Sequence, residues 1–162
     1  MLRALRRCLL PLFLVSGIAS ATEPLHDQIE VDGQQGVLLP AKCCWVDLPK
    51  TERLLEARRA ERCSAIGGPV GRFKYENGKL WLVGLYRCGG PVDLREIYPE
   101  FDDNVLAVWL NGEFTAQIGW LCRNRNGRSI YRKTLNLTVI EGRVSAATET
   151  NNDESACASN SR

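Results

Sequence analysis

Two segments, each ending on a cysteine, constrain the fold of this chain more than any other feature. In residues 113–122, Phe114, Ala116, Ile118, Trp120 and Cys122 alternate with Glu113, Thr115, Gln117 and Gly119. That is the two-residue period of a strand with one buried face. Residues 79–88 are apolar on both sides: Leu80, Leu82 and Tyr86 fall on one face, Trp81, Val83 and Leu85 on the other. Such a pattern suits a central strand covered from two directions. Trp81 and Trp120 are therefore expected in the core, whereas Trp109, beside an Asn-Gly turn, is expected at the surface.

Whether the cysteines can pair depends on the compartment, and the first residues bear on that. Arg3, Arg6 and Arg7 precede an apolar run over residues 8–18, which ends in Ala19-Ser20-Ala21. Basic start, apolar run and Ala-x-Ala site together read as a secretory signal peptide over residues 1–21. The run is too short for a membrane-crossing helix of about 20 residues. No later stretch is apolar for long enough, so no transmembrane segment is expected after cleavage. Cys8 sits at the front of the run, the wrong place for a lipid-acceptor cysteine. A periplasmic or secreted product follows.

Six of the seven cysteines survive such a cleavage: Cys43, Cys44, Cys63, Cys88, Cys122 and Cys157. An even count in an exported chain predicts three disulfides, with the pairing left open. The scattered spacing, without Cys-x-x-Cys, argues against a metal site, and no cofactor or metal is expected. Loss of the three leader arginines turns the formal charge from +2 to −1. Nucleic-acid binders carry a basic excess, so nucleic acid is not an expected partner.

The expected organisation is one disulfide-stapled, β-rich α+β domain over residues 22–148. It would be a small antiparallel sheet or sandwich with one helix, followed by a polar tail, 149–162, partly pinned by Cys157. Residues 22–36 are polar and hold His26, the single histidine. Residues 37–48 read as a strand on which Cys43 and Cys44 point to opposite faces. Residues 48–62 are strong helix formers, with Asp47 as cap and Pro49 in the first turn. Cys63 would tie that helix to the sheet. Asn77-Gly78 predicts a hairpin turn into the central strand. Residues 104–110 do not alternate and favour a short helix, capped by Asp103, over a strand. Residues 133–140 and 143–148 form a last hairpin around Glu141-Gly142, with Leu135, Leu137 and Val139 inward.

Catalytic sets are thin. Nucleophilic catalysis needs a held base, and His26 lies close to the new N-terminus. No nucleophile elbow, His-Glu-x-x-His or phosphate loop occurs. Glu96, Glu100, Asp102 and Asp103 are dense enough for the carboxylate pair of a small hydrolase, but nothing marks them as desolvated. The stronger candidate is the arginine loop, Arg123, Arg125 and Arg128, with Tyr131 and, more remotely, Trp109. Arginine makes planar, bidentate contacts, and Arg, Tyr and Trp are enriched among interface anchors. The expected function is a non-catalytic exported binding protein, an inhibitor or immunity-type factor with a protein partner in the envelope or extracellular space. The alternatives are a small hydrolase using its acidic residues and a structural subunit of an envelope assembly.

Overall fold

A computed structural model describes residues 25–42, 44–61, 68–124 and 127–158. The leader therefore lies outside the described residues, as do Cys43, Cys63 and Arg125. The strands are β1 (Asp27–Val31), β2 (Gln34–Pro40), β3 (Val70–Glu76), β4 (Lys79–Arg87), β5 (Gly90–Val92), β6 (Val105–Leu106), β7 (Gly112–Arg123), β8 (Ser129–Ile140) and β9 (Arg143–Asn151). Three helices accompany them: α1 (Glu52–Ala60), α2 (Leu94–Ile97) and α3 (Ser155–Ala158).

The strands form one sheet in the order β3-β1-β2-β7-β8-β9-β4-β5, and β3 also pairs with β4. The sheet thus closes on itself, so of the two expected forms it is a single sheet and not a sandwich. It is mixed and not purely antiparallel, because β1 and β3 run parallel while the other pairs are antiparallel. Two glycine turns set the hairpins that were anticipated. Asn77-Gly78 joins β3 to β4 with φ of 52° and 69°, and Glu141-Gly142 joins β8 to β9 with 49° and 72°. Two successive positive φ values match the right-handed twist of the flanking strands. Asp32-Gly33 makes the same turn between β1 and β2, inside the stretch that reads as merely polar.

One core fills the closed sheet. Ile29, Leu38, Phe73, Leu82, Ile118 and Leu137 are buried there, and Leu54 of α1 with Leu94 and Ile97 of α2 join the same cluster. Leu135, Leu137 and Val139 point inward as expected. The faces of β4 differ from the simple alternation. Arg72 pairs with Gly84 but Phe73 pairs with Leu82, so Val83 is an extra residue. Such a bulge reverses the facing of everything after it. Leu85 is consequently buried, and Tyr86 is not.

Several boundaries are corrected. The strand expected over residues 37–48 ends at Pro40, and Cys44, at φ 76°, sits in a bend instead of on a strand. The helix begins at Glu52 instead of Leu48, because Val46 and Leu48 alternate into the core as extended chain. Its cap is Thr51, whose hydroxyl accepts from the Leu54 amide at 3.1 Å, in place of Asp47. The Asp47 carbonyl accepts instead from the Trp109 indole at 2.8 Å. Residues 105–106 are strand and not helix: β4 offers them a free edge, pairing Trp81 with Leu106 and Leu82 with Val105.

Of the three expected disulfides, two rest on cysteines that include Cys43 and Cys63, outside the described residues. One bridge is defined end to end, Cys122–Cys157, joining β7 to α3 across 35 residues. Cys44 and Cys88 are also disulfide-bonded. Among the described residues no helix is long and apolar enough to cross a membrane.

Candidate functional site

The candidate surface starts from a mismatch in the closure of the sheet. β9 meets β4 only at Lys79–Arg143. The ladder between β7 and β8 meanwhile runs on to Arg123–Ser129, and that between β8 and β9 to Lys133–Asn151. The upper parts of β7, β8 and β9 therefore stand clear of the closed sheet as an arm. Its tip carries Arg123 and Arg128.

Gly119 lies where β7 runs past its last partner in β2, Gly36 opposite Ile118. It takes φ 65°, where a Cβ would be strained, and the β7–β8 register shifts between Trp120 and Cys122. Phe114, Ala116 and Ile118 stay buried, but the next position of that face, Trp120, is 60 % exposed. This corrects the expectation of a core residue: past Ile118 the face no longer looks into the core. A glycine inside an alternating strand is itself a bulge signal. Trp81, likewise expected in the core, is half-buried, with the Lys79 ammonium 5.6 Å from its ring.

Trp120 pairs directly with Tyr131 across the two strands, and Arg123 with Ser129. Tyr131 is half-buried, while Arg123 and Arg128 are exposed. The loop between them is held by the Asn124 side chain, whose amide oxygen accepts from the Arg128 N–H at 2.9 Å. Backbone bonds from Asn124 to Arg128 and from Gly127 to Asn124 complete it. Below, Lys133 and Glu149 form an ion pair at 3.5 Å. Close to its tip the arm is fastened twice, by Cys122–Cys157 and by Asn152, whose backbone and side-chain amides donate to the carbonyls of Arg132 and Tyr131.

Trp109 does not belong to this group. β7 spans twelve residues between its start beside Trp109 and Arg123, roughly 35 Å at 3.3 Å per residue. Trp109 is half-buried and stacks on Phe101 at 6.2 Å, which stacks on Tyr98 at 4.9 Å. It forms part of a structural aromatic ladder.

The acidic residues considered for hydrolysis are exposed: Glu96, Glu100, Asp102 and Asp103 all face solvent, and Asp103 pairs with Arg95 at 3.0 Å. Asp93 caps α2 by accepting from the Arg95 N–H. His26, at the start of the described chain, is half-buried. Among the described residues no group of three His, Cys, Asp or Glu side chains could hold a metal ion.

Sequence patterning also missed Asp27. It is 1 % exposed, and its carboxylate accepts from the Val46 and Gly71 amides at 2.7 and 2.6 Å. It binds β1, the segment before α1 and the start of β3 together. Burial drives its pKa up to about 6 despite those bonds.

No protein-family model, curated protein or solved structure matches the chain.

Proposed function

We propose that this chain is an exported, non-catalytic binding protein, an inhibitor or immunity-type factor that engages a protein partner in the periplasm or outside the cell. The observation that carries this is Trp120, a large aromatic held 60 % exposed on a disulfide-fastened arm beside Tyr131 and the arginines. Exposing an indole forgoes about 1.5–3 kcal/mol of burial. Trp, Tyr and Arg together are the residue types that dominate interface energetics. A rigid arm also loses little conformational entropy on binding. A disulfide in a chain without a membrane-crossing helix among its described residues is compatible with the proposed location.

The test is affinity capture from envelope and culture-medium extracts. Wild-type protein is compared with a Trp120→Ala/Arg123→Ala/Arg128→Ala variant whose fold is verified by near-ultraviolet circular dichroism. A partner retained by the wild type and lost by the folded variant supports the proposal. Equal recovery by both, or no specific partner for the wild type, overturns it.

A further inference from the structure

On the other side of the same strands lie two cavities that share Ala41, Glu113 and Phe114, and so run together as one open groove. The wider part, about 400 Å³, lies between the segment carrying Trp45 and Asp47 and the start of β7 at Glu113. The narrower, about 320 Å³, crosses β7, β8 and β9. Each volume falls within the roughly 300–1,000 Å³ typical of small-ligand sites.

The floor of the narrower part follows from register. Thr115 pairs with Asn136, and Asn136 with Thr148, so three uncharged polar side chains stand in a row across adjacent strands. Successive members are about 4.8 Å apart. The Thr115 hydroxyl donates to the Asn136 amide oxygen at 3.1 Å, which orients the carboxamide, and that group still carries two donors. In the wider part the Trp45 ring is set in place, because its indole N–H donates to the Leu25 carbonyl at 2.8 Å. Asp47 and Glu113 add carboxylate acceptors there, and Lys42 is the cation on the same lining.

This chemistry selects among ligands. A single lysine against two carboxylates gives no basic excess for a phosphate or a polyanion. The backbone groups in the middle of the polar row are spent on the β7–β8 and β8–β9 ladders, so a peptide main chain could extend only the outer edge of β9, which does not line the wider part. A fixed aromatic wall, carboxylate acceptors and a line of neutral donors and acceptors suit a ligand with apolar C–H faces and many hydroxyls. We propose that this groove binds a neutral oligosaccharide. One ring lies against Trp45 and donates hydroxyl hydrogens to Asp47 and Glu113, and the next runs along Thr115, Asn136 and Thr148. The site is independent of the arm, since alternation along β7 and β8 puts Trp120 and Tyr131 on the opposite face from Asn136.

The experiment is an NMR titration of the oxidised, unglycosylated full chain with N-acetylglucosamine tetramer, cellotetraose and maltotetraose, and with their monosaccharides. Expected are saturable shifts at the Trp45 indole N–H and the Asn136 side-chain amide, with a dissociation constant at or below about 1 mM for at least one tetramer. Its monosaccharide should bind more weakly, because only the longer ligand spans both parts. Asn136→Ala and Thr148→Ala, both at exposed positions, should each weaken that tetramer by about fivefold, the equivalent of one neutral hydrogen bond. Absence of saturable shifts with every tetramer overturns the proposal. So do shifts confined to Trp120 and the arginine tip, or undiminished binding by both folded variants.

Discussion

Asp27→Ala offers a test of the fold in which the sign of the pH dependence is diagnostic. The substitution leaves two buried backbone donors, the amides of Val46 and Gly71, without their acceptor. Each orphaned donor costs about 1–3 kcal/mol. The carboxylate itself opposes that loss, because burial raises its pKa from 3.8 to about 6. The folded chain holds the Asp27 proton more tightly than the unfolded chain does. The contribution of Asp27 to stability therefore rises as pH falls through about 6 and levels off below 3.8, and it declines again as pH is raised through that window. At 1.36 kcal/mol per pKa unit the full effect is about 3 kcal/mol, of which about 2 kcal/mol is expressed between about pH 7.5 and pH 4.5. The alanine variant lacks this gain, so its deficit should widen by about 2 kcal/mol on acidification. A surface ion-paired carboxylate would narrow it. Urea unfolding of both oxidised proteins, followed by tryptophan fluorescence across that range, supplies the comparison. A deficit that stays constant or shrinks as the solution is acidified would refute the burial argument.

Three further outcomes follow from the arm and its turns. Trp120→Ala should change unfolding stability by no more than about 0.5 kcal/mol, since the ring lies outside the core; a loss above about 2 kcal/mol would mean that the indole is packed. Replacing Cys122 and Cys157 together by alanine opens a 35-residue separation, worth about 4 kcal/mol in the chain-entropy account. Hydrogen exchange should then show α3 losing protection before β1–β4, and simultaneous loss would place the bridge in the core instead of the arm. Gly142→Ala sets a Cβ 2.7 Å from the Ala107 carbonyl group at a positive φ, a clash with main chain that should cost about 2 kcal/mol or more in calorimetry. A neutral result would show that the β8–β9 turn shifts freely.

What could be read from the residues was whatever period alone controls. Phe114, Ala116, Ile118, Leu135, Leu137 and Val139 alternate over a single buried face, and they are buried. Asn77-Gly78 and Glu141-Gly142 carry turn chemistry that needs no tertiary context. The failures have local causes. β1 and half of β2 were hidden because Gln28, Glu30, Gln34 and Gln35 dilute a strand in which only Ile29, Val31 and Leu38 mark the inner face. The bulge at Val83 reverses a face without changing composition, so period counting carries the wrong side forward, whereas Trp120 keeps the face of Ile118 and is exposed because the strand has outrun its neighbours. Val105 and Leu106 became strand because β4 had an edge to offer, which no propensity scale contains. Asp27 reads as one more polar residue until the two amides facing it are known.

The seam between β9 and β4 links these particulars to the proposed binding surface. If the β9–β4 ladder ran its full length, Trp120 and Tyr131 would face an enclosed interior and would have to be core. Because it stops at Lys79–Arg143, β7, β8 and β9 outrun their neighbours, and the same alternation that buries Ile118 presents Trp120 to solvent. An arm of that kind cannot be held by burial, and its fastenings are of another sort: the Cys122–Cys157 bridge, the two Asn152 donors, and the Asn124 amide that closes the tip. Stability and display are thereby carried by different residues. Ile29, Leu38, Phe73 and Leu82 hold the closed sheet, while substitutions at Trp120, Arg123 or Arg128 alter what the arm presents without opening a cavity beneath it.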